Sequence, residues 1–231
     1  MPEYQSVFFD LDHTLWDYER NALESLSDLY IEFNLKEKIN VSVNEFYNSF
    51  SEINHSLWDQ YDAGKINRQV IRDERFQRVL GTFGVTDPRL AESLSENYLT
   101  VAPKKSNLID GATEVLNYLS VKYKLYIITN GFQEIQYTKL QSGKINHYFD
   151  EVFISDVVGH KKPSKEIFDH VIKKHQLTKS TCIMVGDNLL TDIAGAKNAG
   201  IDSVFFNPGQ IIHSTSVTYE ISHLTALKNI L

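Results

Sequence analysis

Two aspartates lie two positions apart, directly after an apolar run near the start of the chain. Residues 6–10 read SVFFD, and Asp12 follows Asp10 after a single leucine. β-Branched and aromatic residues predict a buried strand here, so the two carboxylates belong to a strand end rather than to a helix cap. Carboxylates this close repel each other unless a cation offsets their charge. The pair predicts either turn chemistry or a divalent cation site, and we favour the cation site.

Three further loops carry polar residues after apolar runs. These runs are residues 125–128, 152–154 and 182–185, and the residues that follow them are Thr129, Asn130 and Gly131, then Ser155 and Asp156, then Asp187 and Asn188, with Asp192 beyond. In a parallel sheet these positions share the carboxyl edge, where ligands bind. Asp187 would add a third carboxylate to the pair. Magnesium fits such a site better than zinc, because no clustered His or Cys ligands accompany the acids.

The elements that must position these residues form an α/β fold. From residue 110 onward, helical segments alternate with the short apolar runs, which is typical of a parallel sheet covered by helices on both faces. The strand at residues 6–10 belongs to the same sheet. We therefore predict a Rossmann-like, three-layer core, with a further edge strand near residues 217–221 and a short terminal helix.

A helical segment separates the first strand from the rest of the sheet. Apolar residues recur at spacings of three and four from about residue 17 to residue 101, which predicts helices throughout. Breaks at Asn40, Gly64 and residues 84–88 divide the segment into four helices. We therefore expect a catalytic core of residues 1–16 and 102–231, interrupted by an all-α helical bundle of residues 17–101.

The overall composition excludes several classes of protein. The 231 residues carry a formal net charge of -7, which leaves no broad basic surface for a nucleic acid polymer. No apolar run approaches the length of a membrane span, and the N-terminus does not resemble a signal peptide. The single cysteine, Cys182, lies in an apolar run and is expected to pack in the core. We expect a cytoplasmic protein, whose oligomeric state the sequence does not fix.

Four short motifs resemble, in order and spacing, those of the haloacid dehalogenase superfamily. They are Asp10-Leu11-Asp12-His13-Thr14, Thr129-Asn130-Gly131, Lys162-Pro163, and Gly186-Asp187 followed by Asp192. The helical segment lies where that superfamily carries a helical cap. Residues 9–17 and 186–192 look most like the bacterial pyrimidine 5′-nucleotidase subgroup. The resemblance implies a magnesium-dependent phosphatase whose partner is a small phosphorylated metabolite, here a nucleoside 5′-monophosphate.

The same resemblance assigns the chemical roles. It makes Asp10 the nucleophile that forms an aspartyl-phosphate, and Asp12 the general acid and base of the two half-reactions. Mg²⁺ would be held by the carboxylates of Asp10 and Asp187 and by the backbone carbonyl of Asp12. A carboxylate at a rigid strand end suits in-line attack, and a metal ion would offset the repulsion between two anions.

The phosphoryl oxygens are expected to bind to the second and third motifs. Thr129 and the backbone amides of Asn130 and Gly131 are suited to hold them. Lys162 would supply a positive charge against the charge that develops in the transition state. A lysine before a proline is common on surfaces, but here it precedes an amphipathic helix and follows a glycine turn, which favours the functional role.

Three more residues near the motifs have expected or open roles. Thr14 is expected to orient other groups by a hydrogen bond. Asp192 is assigned to the surroundings of the metal or to Lys162, with a plain surface position as the alternative. His13 departs from the small or acidic residue usual at its position, and the sequence leaves open whether it touches substrate, contacts the cap or tunes Asp12.

The predicted cap contains candidates for substrate selection. The turn at residues 61–66 resembles the cap loop of the family, and it makes Tyr61, Lys65 and Arg68 our candidates. Arg68, Arg72, Arg75 and Arg78 lie within an arc of about 120° on a helix. We favour a solvated face for these arginines, paired with Asp73 and Glu74, over an anion site. Trp58, Tyr61 and Phe83 could stack on a base, but aromatic residues at helical spacing are more often core.

Three other functions compete with the nucleotidase. A phosphosugar phosphatase or mutase would share the motifs and differ mainly in its cap contacts. A metal-free haloacid dehalogenase would share Asp10 as nucleophile but would need neither Asp12 as an acid nor a carboxylate cluster. A binding protein without turnover is disfavoured by the full set of motifs.

Overall fold

A six-stranded parallel sheet organises the larger part of the protein, whose computed structural model describes residues 3–231. The strands are β1 Ser6–Phe9, β2 Lys124–Thr129, β3 Glu151–Ile154, β4 Cys182–Gly186, β5 Asp202–Phe206 and β6 Tyr219–Ile221. Their order is β3-β2-β1-β4-β5-β6, and every pair is parallel. The chain runs outward in both directions from β1, so the topological switch point lies between β1 and β4. The predicted parallel α/β fold is confirmed.

Ten α-helices accompany the strands in the described residues. They are α1 Tyr18–Glu32, α2 Leu35–Ile39, α3 Val43–Asp62, α4 Arg68–Thr82, α5 Pro88–Val101, α6 Ala112–Leu119, α7 Gln133–Ser142, α8 Ser155–Val158, α9 Lys165–Lys174 and α10 Ala194–Ala199. A π-helical turn, Leu189–Ile193, precedes α10, and a 3₁₀ helix, Leu224–Asn229, lies near the C-terminus. Within residues 3–231, none of the helices has the length and apolar character needed to cross a bilayer.

Successive side chains of each strand point to opposite faces of the sheet, and both faces are buried. On one face Val7 and Phe9 of β1 pack in a cluster with α6 and with the C-terminal 3₁₀ helix. On the other face Phe8 packs in a second cluster with α9 and α10. Cys182 belongs to the second cluster, and burial raises the pKa of its thiol to about 11. The result is the predicted three-layer core, with the cysteine in its predicted place.

The chain divides into two compact units. We call residues 3–18 and 106–231 the sheet unit, and residues 19–105 the helical unit. The divisions lie within a few residues of the predicted ones after residues 16 and 101. The assignment of the sheet unit as catalytic core and of the helical unit as cap remains a prediction.

The helical unit contains five α-helices, so the predicted count of four was wrong. The additional helix is the single turn α2, which begins after Asn34 and ends before Asn40. Both asparagines adopt left-handed backbone conformations, with φ of 48° and 51°, and so separate α2 from its neighbours. Leu35 and Ile39, four positions apart, hold this turn in place by burying the same face.

The solvated face predicted for four arginines of α4 was wrong for Arg75. Arg78 does pair with Glu74, at 2.6 Å, as expected. Arg75 is only 3% exposed, and its guanidinium carbon lies 4.8–5.5 Å from the ring centroids of Phe50, Phe76 and Tyr98. These rings stabilise the guanidinium cation, which was expected to be solvated by water.

Candidate active site

The carboxyl edge of the sheet brings together residues from four loops. Asp10 directly follows β1, Thr129 ends β2 and Asp187 directly follows β4. Phe9 pairs in register with Ile127 of β2 and with Val185 of β4. The Asp10 amide donates to the carbonyl of Val185 at 3.0 Å, which extends the ladder by one residue. The Asp10 side chain therefore begins from a fixed backbone at the switch point.

Lys162 is an enclosed cation among these loops, with only 1% of the residue exposed. Its Nζ atom lies 2.5 Å from Asp10 Oδ1 and 2.7 Å from Asp192 Oδ1. It also donates a hydrogen bond of 2.7 Å to the carbonyl of Ile128. Burial opposes its charge, but the attraction of both carboxylates outweighs burial and raises the pKa of Lys162. The lysine therefore stays protonated and can oppose negative charge at this edge.

Asp10 lies where ionisation is unfavourable. Burial raises the pKa of its carboxyl group well above the usual range, and the attraction of Lys162 only partly reverses the shift. The negative charges of Asp192 and Asp187 raise the pKa further. The ionised form thus meets more negative charge than one lysine offsets. A second cation would favour the carboxylate that a nucleophile requires.

Asp187 is positioned by Thr14. The Thr14 hydroxyl is buried and donates to Asp187 Oδ1 at 2.9 Å, as an orienting side chain would. Burial raises the pKa of Asp187 to about 6, while His13 lowers it and Asp192 raises it. His13 has a left-handed backbone, with φ of 63°, a conformation that most side chains adopt only at an energetic cost.

Three carboxylates converge closely enough to bind one cation. Oxygen atoms of Asp10, Asp187 and Asp192 lie within 4.8 Å of one another. An all-oxygen donor set and excess negative charge fit Mg²⁺. The predicted ligand set was Asp10, Asp187 and the backbone carbonyl of Asp12. The structure adds the carboxylate of Asp192 to this cluster, and its 1% exposure excludes the alternative of a surface position.

The carboxylate of Asp12 is bound by two side chains of α7. Lys139 Nζ lies 2.6 Å from Oδ1 and 2.8 Å from Oδ2. Gln136 Nε2 donates to Oδ2 at 3.1 Å. Burial raises the pKa of Asp12, but the attraction of Lys139 outweighs it and leaves the pKa below its usual value. Asp10 and Asp12 therefore occupy opposite electrostatic environments although one residue separates them.

The loop after β2 is held in place by hydrogen bonds to the Thr129 hydroxyl. Thr129 Oγ1 accepts from the Gly131 amide at 3.0 Å and from Gln136 Nε2 at 2.9 Å. The Gly131 amide, predicted to bind phosphoryl oxygens, is therefore already engaged. A side chain at Gly131 would place its Cβ 1.5 Å from Gln136 Nε2, so only glycine permits this contact.

Asn130 links this loop to the backbone of Lys162. Its Nδ2 donates to the Lys162 carbonyl at 3.0 Å, and its Oδ1 accepts from the Lys162 amide at 2.9 Å. The side chain thus positions the lysine.

Asp192 approaches the backbone of Gly186 closely. A Cβ at Gly186 would lie 2.3 Å from the Asp192 Oδ2 atom. Glycine at that position gives the carboxylate room to reach Lys162.

The three predicted specificity residues belong to the helical unit and differ in exposure. Lys65 and Arg68 are exposed at the turn between α3 and α4. Tyr61 is 9% exposed and packs edge-on against Trp58, with the ring centroids 5.5 Å apart. Tyr61 lies within α3, and its burial agrees with the expectation that aromatic residues at helical spacing belong to the core.

Sequence reasoning missed Gln136 and Lys139. Both lie on α7 three positions apart, beside the buried Leu140. A spacing of three and four with an apolar neighbour predicts a buried face, and this signal could have identified both residues. They were overlooked because isolated Gln and Lys residues on helices usually face solvent.

The chain is similar to known hydrolases over nearly its whole length. Residues 7–206 match the family described as haloacid dehalogenase-like hydrolase. YfnB of Bacillus subtilis, named as a HAD-hydrolase, is 30% identical over 235 residues, which cover 100% of this chain and 97% of YfnB. A crystal structure of YfnB, described as bound to magnesium and as revealing interdomain movement, matches with a TM-score of 0.89 and covers 99% of this chain and 98% of that one.

Two further relatives are named for different reactions. The pyrimidine 5′-nucleotidase PynA of Streptococcus pneumoniae is 30% identical over 222 residues, covering 94% of this chain and 91% of PynA. A 2-haloacid dehalogenase structure from Pseudomonas syringae is 25% identical, has a TM-score of 0.65, and covers 98% of this chain and 97% of that one.

Proposed function

Because the chain belongs to the haloacid dehalogenase-like hydrolases, we propose that it is a magnesium-dependent phosphatase that acts on nucleoside 5′-monophosphates through an aspartyl-phosphate. The observation that carries this proposal is the second carboxylate, Asp12, held by Lys139 and Gln136 beside the nucleophile position. An ester oxygen needs a proton as it leaves, whereas a halide does not. A dehalogenase would therefore not need a second carboxylate that acts as an acid.

Asp10 is proposed as the nucleophile. Its carboxylate oxygen forms a bond to phosphorus while the bond between phosphorus and the ester oxygen breaks, and an aspartyl-phosphate results. The amide contact to Val185 and the ion pair with Lys162 fix the attacking group. A fixed nucleophile lowers the entropic part of the barrier.

Asp12 is proposed to move the protons. Lys139 keeps Asp12 ionised in the free protein, and the negative charge of a bound phosphoryl group would raise the pKa of Asp12 so that it can carry a proton. In the first half-reaction Asp12 gives this proton to the leaving ester oxygen, and in the second it takes a proton from the water that attacks phosphorus. The second step releases phosphate and restores the Asp10 carboxylate. One residue can serve both steps because each leaves it in the protonation state that the other requires.

The carboxylates of Asp10, Asp187 and Asp192, with the backbone carbonyl of Asp12, are the groups that would hold Mg²⁺. The bound ion would neutralise charge on the carboxylates and on the phosphoryl group. Lys162 would direct its positive charge at the phosphoryl oxygens, and the Thr129 hydroxyl would donate a hydrogen bond to them. Thr14 would keep Asp187 oriented throughout.

The nucleotide specificity is supported by similarity to PynA, which is named for pyrimidine 5′-nucleotides. We propose the helical unit as the cap that selects the substrate and limits the access of water. The exposed side chains of Lys65 and Arg68 are its candidates for contact with an anionic substrate. Tyr61, which packs against Trp58, would support the loop that carries them.

The direct test is phosphate release from dUMP, dTMP, UMP and a set of sugar phosphates, with magnesium or with EDTA. We expect magnesium-dependent release that is fastest with the pyrimidine nucleotides and is lost in Asp10→Asn. Preference for sugar phosphates would overturn the nucleotidase specificity and leave the phosphatase. Interconversion of phosphosugar isomers would identify a mutase. Activity that survives EDTA, or halide release from a haloacid, would overturn the phosphatase.

A further inference from the structure

The carboxylate of Asp12 is held by donors from one helix. We define the Asp12 clamp as Gln136 and Lys139 of α7. Lys139 Nζ contacts both carboxylate oxygens, at 2.6 and 2.8 Å, and Gln136 Nε2 contacts Oδ2 at 3.1 Å. An ionised carboxylate has about four acceptor directions. The clamp occupies three of them, both on Oδ2 and one on Oδ1, and leaves one direction on Oδ1.

The clamp is buried where packing alone would favour apolar residues. Lys139 is 4% exposed and Gln136 is fully buried. The Lys139 ammonium also lies 4.7 Å from the ring centroid of Trp16, so an aromatic ring as well as the Asp12 carboxylate stabilises its charge. A buried ion pair is weak evidence for a stabilising role, since a well-packed apolar pair often stabilises a protein as much. A lysine at this position therefore calls for a role beyond packing.

Gln136 links Asp12 to the loop that follows β2. Its Nε2 donates to Thr129 Oγ1 at 2.9 Å as well as to Asp12. Its Oε1 is buried and has no hydrogen-bond partner among residues 3–231. A buried amide oxygen without a partner is unfavourable. The amide orientation is thus set by the two acceptors, and Gly131 provides the space for it.

We propose that Gln136 and Lys139 are positioning residues, which fix the Asp12 carboxylate so that protons pass only through Oδ1. This inference rests on the proposed phosphatase reaction. The proton on Oδ1 goes to the leaving ester oxygen as its bond to phosphorus breaks, and a proton from the attacking water returns to Oδ1. The clamp itself exchanges no proton and contacts no substrate.

The test compares two leaving groups in Lys139→Met. A nucleoside monophosphate has an alkoxide leaving group that needs a proton, whereas p-nitrophenyl phosphate releases a stable phenolate that does not. Since general acid catalysis contributes about 10²–10⁴-fold, we expect kcat/KM for dUMP to fall at least about 100-fold. For p-nitrophenyl phosphate kcat/KM should fall much less, and the KM for dUMP should stay near the wild-type value.

Three further variants complete the design. Lys139→Arg keeps a cation and should recover part of the dUMP activity. Gln136→Leu removes one hydrogen bond and no charge, so it should show the same leaving-group pattern with a smaller loss, and it carries the test if Lys139→Met does not fold. Lys124→Met removes an exposed lysine that pairs with Asp150 at 2.8 Å, and it should match wild type.

Equal losses with the two substrates, or a change confined to KM, would overturn the inference. So would a Lys139→Arg variant as impaired as Lys139→Met. These results leave the proposed function intact as long as wild type releases phosphate in magnesium. Failure of the wild type to release phosphate would refute the proposed function itself.

Discussion

The two units of this protein bury positive charge in different ways. In the sheet unit Lys162 and Lys139 are each 4% exposed or less, and each contacts a carboxylate of the candidate site. In the helical unit Arg75 is equally buried but lies among three aromatic rings. Its Nη1 donates to Asn54 at 3.0 Å, and its Nε and Nη2 have no hydrogen-bond partner among the described residues.

This difference separates the buried charges that we propose to serve catalysis from those that serve packing. Aromatic rings can compensate a cation within the packing of one unit, without any reactive group. The carboxylates that compensate lysines at the carboxyl edge of the sheet are the groups that we propose to react, and the lysines influence their charge and orientation. We therefore expect substitutions of the sheet-unit lysines to affect activity, and substitution of Arg75 to affect only stability.

The largest expected effect is that of Lys162→Met. The substitution leaves Asp10 and Asp192 buried without their cation, which should cost about 3–5 kcal/mol of stability. Removing a donor that faces the developing charge should also lower kcat by about 10²–10³-fold. Hydrogen exchange of the β1 and β4 amides would measure the stability of the sheet unit, and phosphate release would measure kcat. A variant with normal stability would show that the ion pairs are not formed as described.

The next effect concerns pH and magnesium in the sheet unit. Burial raises the pKa of Asp187 from 3.8 to about 6. The folded protein then binds more protons than the unfolded chain in this window, so stability should fall as the pH rises from about 4 to 6, by roughly 1–2 kcal/mol. Magnesium should abolish the fall, because the cation favours the ionised carboxylates.

Hydrogen exchange of β4 at several pH values, in EDTA and in magnesium, would measure this dependence. Asp187→Asn in EDTA provides the control, since it removes one titrating group and should make the fall less steep, while Asp10, whose pKa is also raised by burial, accounts for the part that remains. The same pH profile with and without magnesium would contradict the proposed cation site.

A smaller effect is expected for Arg75→Met in the helical unit. Loss of the contacts between the cation and the rings destabilises the helical unit. Two effects oppose this loss: methionine packs well against aromatic rings, and the substitution removes a buried charge that has no carboxylate partner among the described residues. We expect a net loss of no more than about 1 kcal/mol and unchanged kinetics. Thermal unfolding and phosphate release would check both. A loss of activity comparable to that of Lys162→Met would refute the distinction between the two units.

The smallest effect concerns His55 in the helical unit. Its hydrogen bond to Glu19 raises the pKa of His55, although partial burial opposes the shift. A raised histidine pKa stabilises the folded state fully below about pH 6.5 and ceases to do so as the pH rises through the folded pKa. Since the pair is half exposed, His55→Gln should cost well under about 1 kcal/mol, and only at acidic pH. Urea unfolding at about pH 5 and 8 would detect the difference, and an equal cost at both values would contradict it.

The sequence was sufficient to predict the sheet and the carboxylates at its edge. Each strand is a short apolar run, and Asp10 and Asp187 come directly after two of these runs. Such signals are local, so they do not depend on how distant segments pack. Parallel strands then bring their carboxyl ends to one edge, which is why residues far apart in the chain could be assigned to one site.

The contacts that tune the site could not be read in this way. Whether Lys139 reaches Asp12 depends on the height and rotation of α7 against the sheet, which spacing along the chain does not define. Arg75 was misassigned because four arginines at helical spacing indicate a solvated face. The spacing of four from Ile71 to Arg75 to Val79 places Arg75 in the buried stripe instead, and that signal was available.

The proposed reaction requires that Asp10 become phosphorylated, and chemical trapping of the aspartyl-phosphate tests this step. The protein would be quenched in acid during turnover of dUMP with magnesium and treated with borohydride, which reduces an aspartyl-phosphate to homoserine. Mass spectrometry of its peptides would then locate the product. We expect homoserine at position 10 in wild type and none in Asp10→Asn. Homoserine at another aspartate, or phosphate release without a trapped product at position 10, would contradict it.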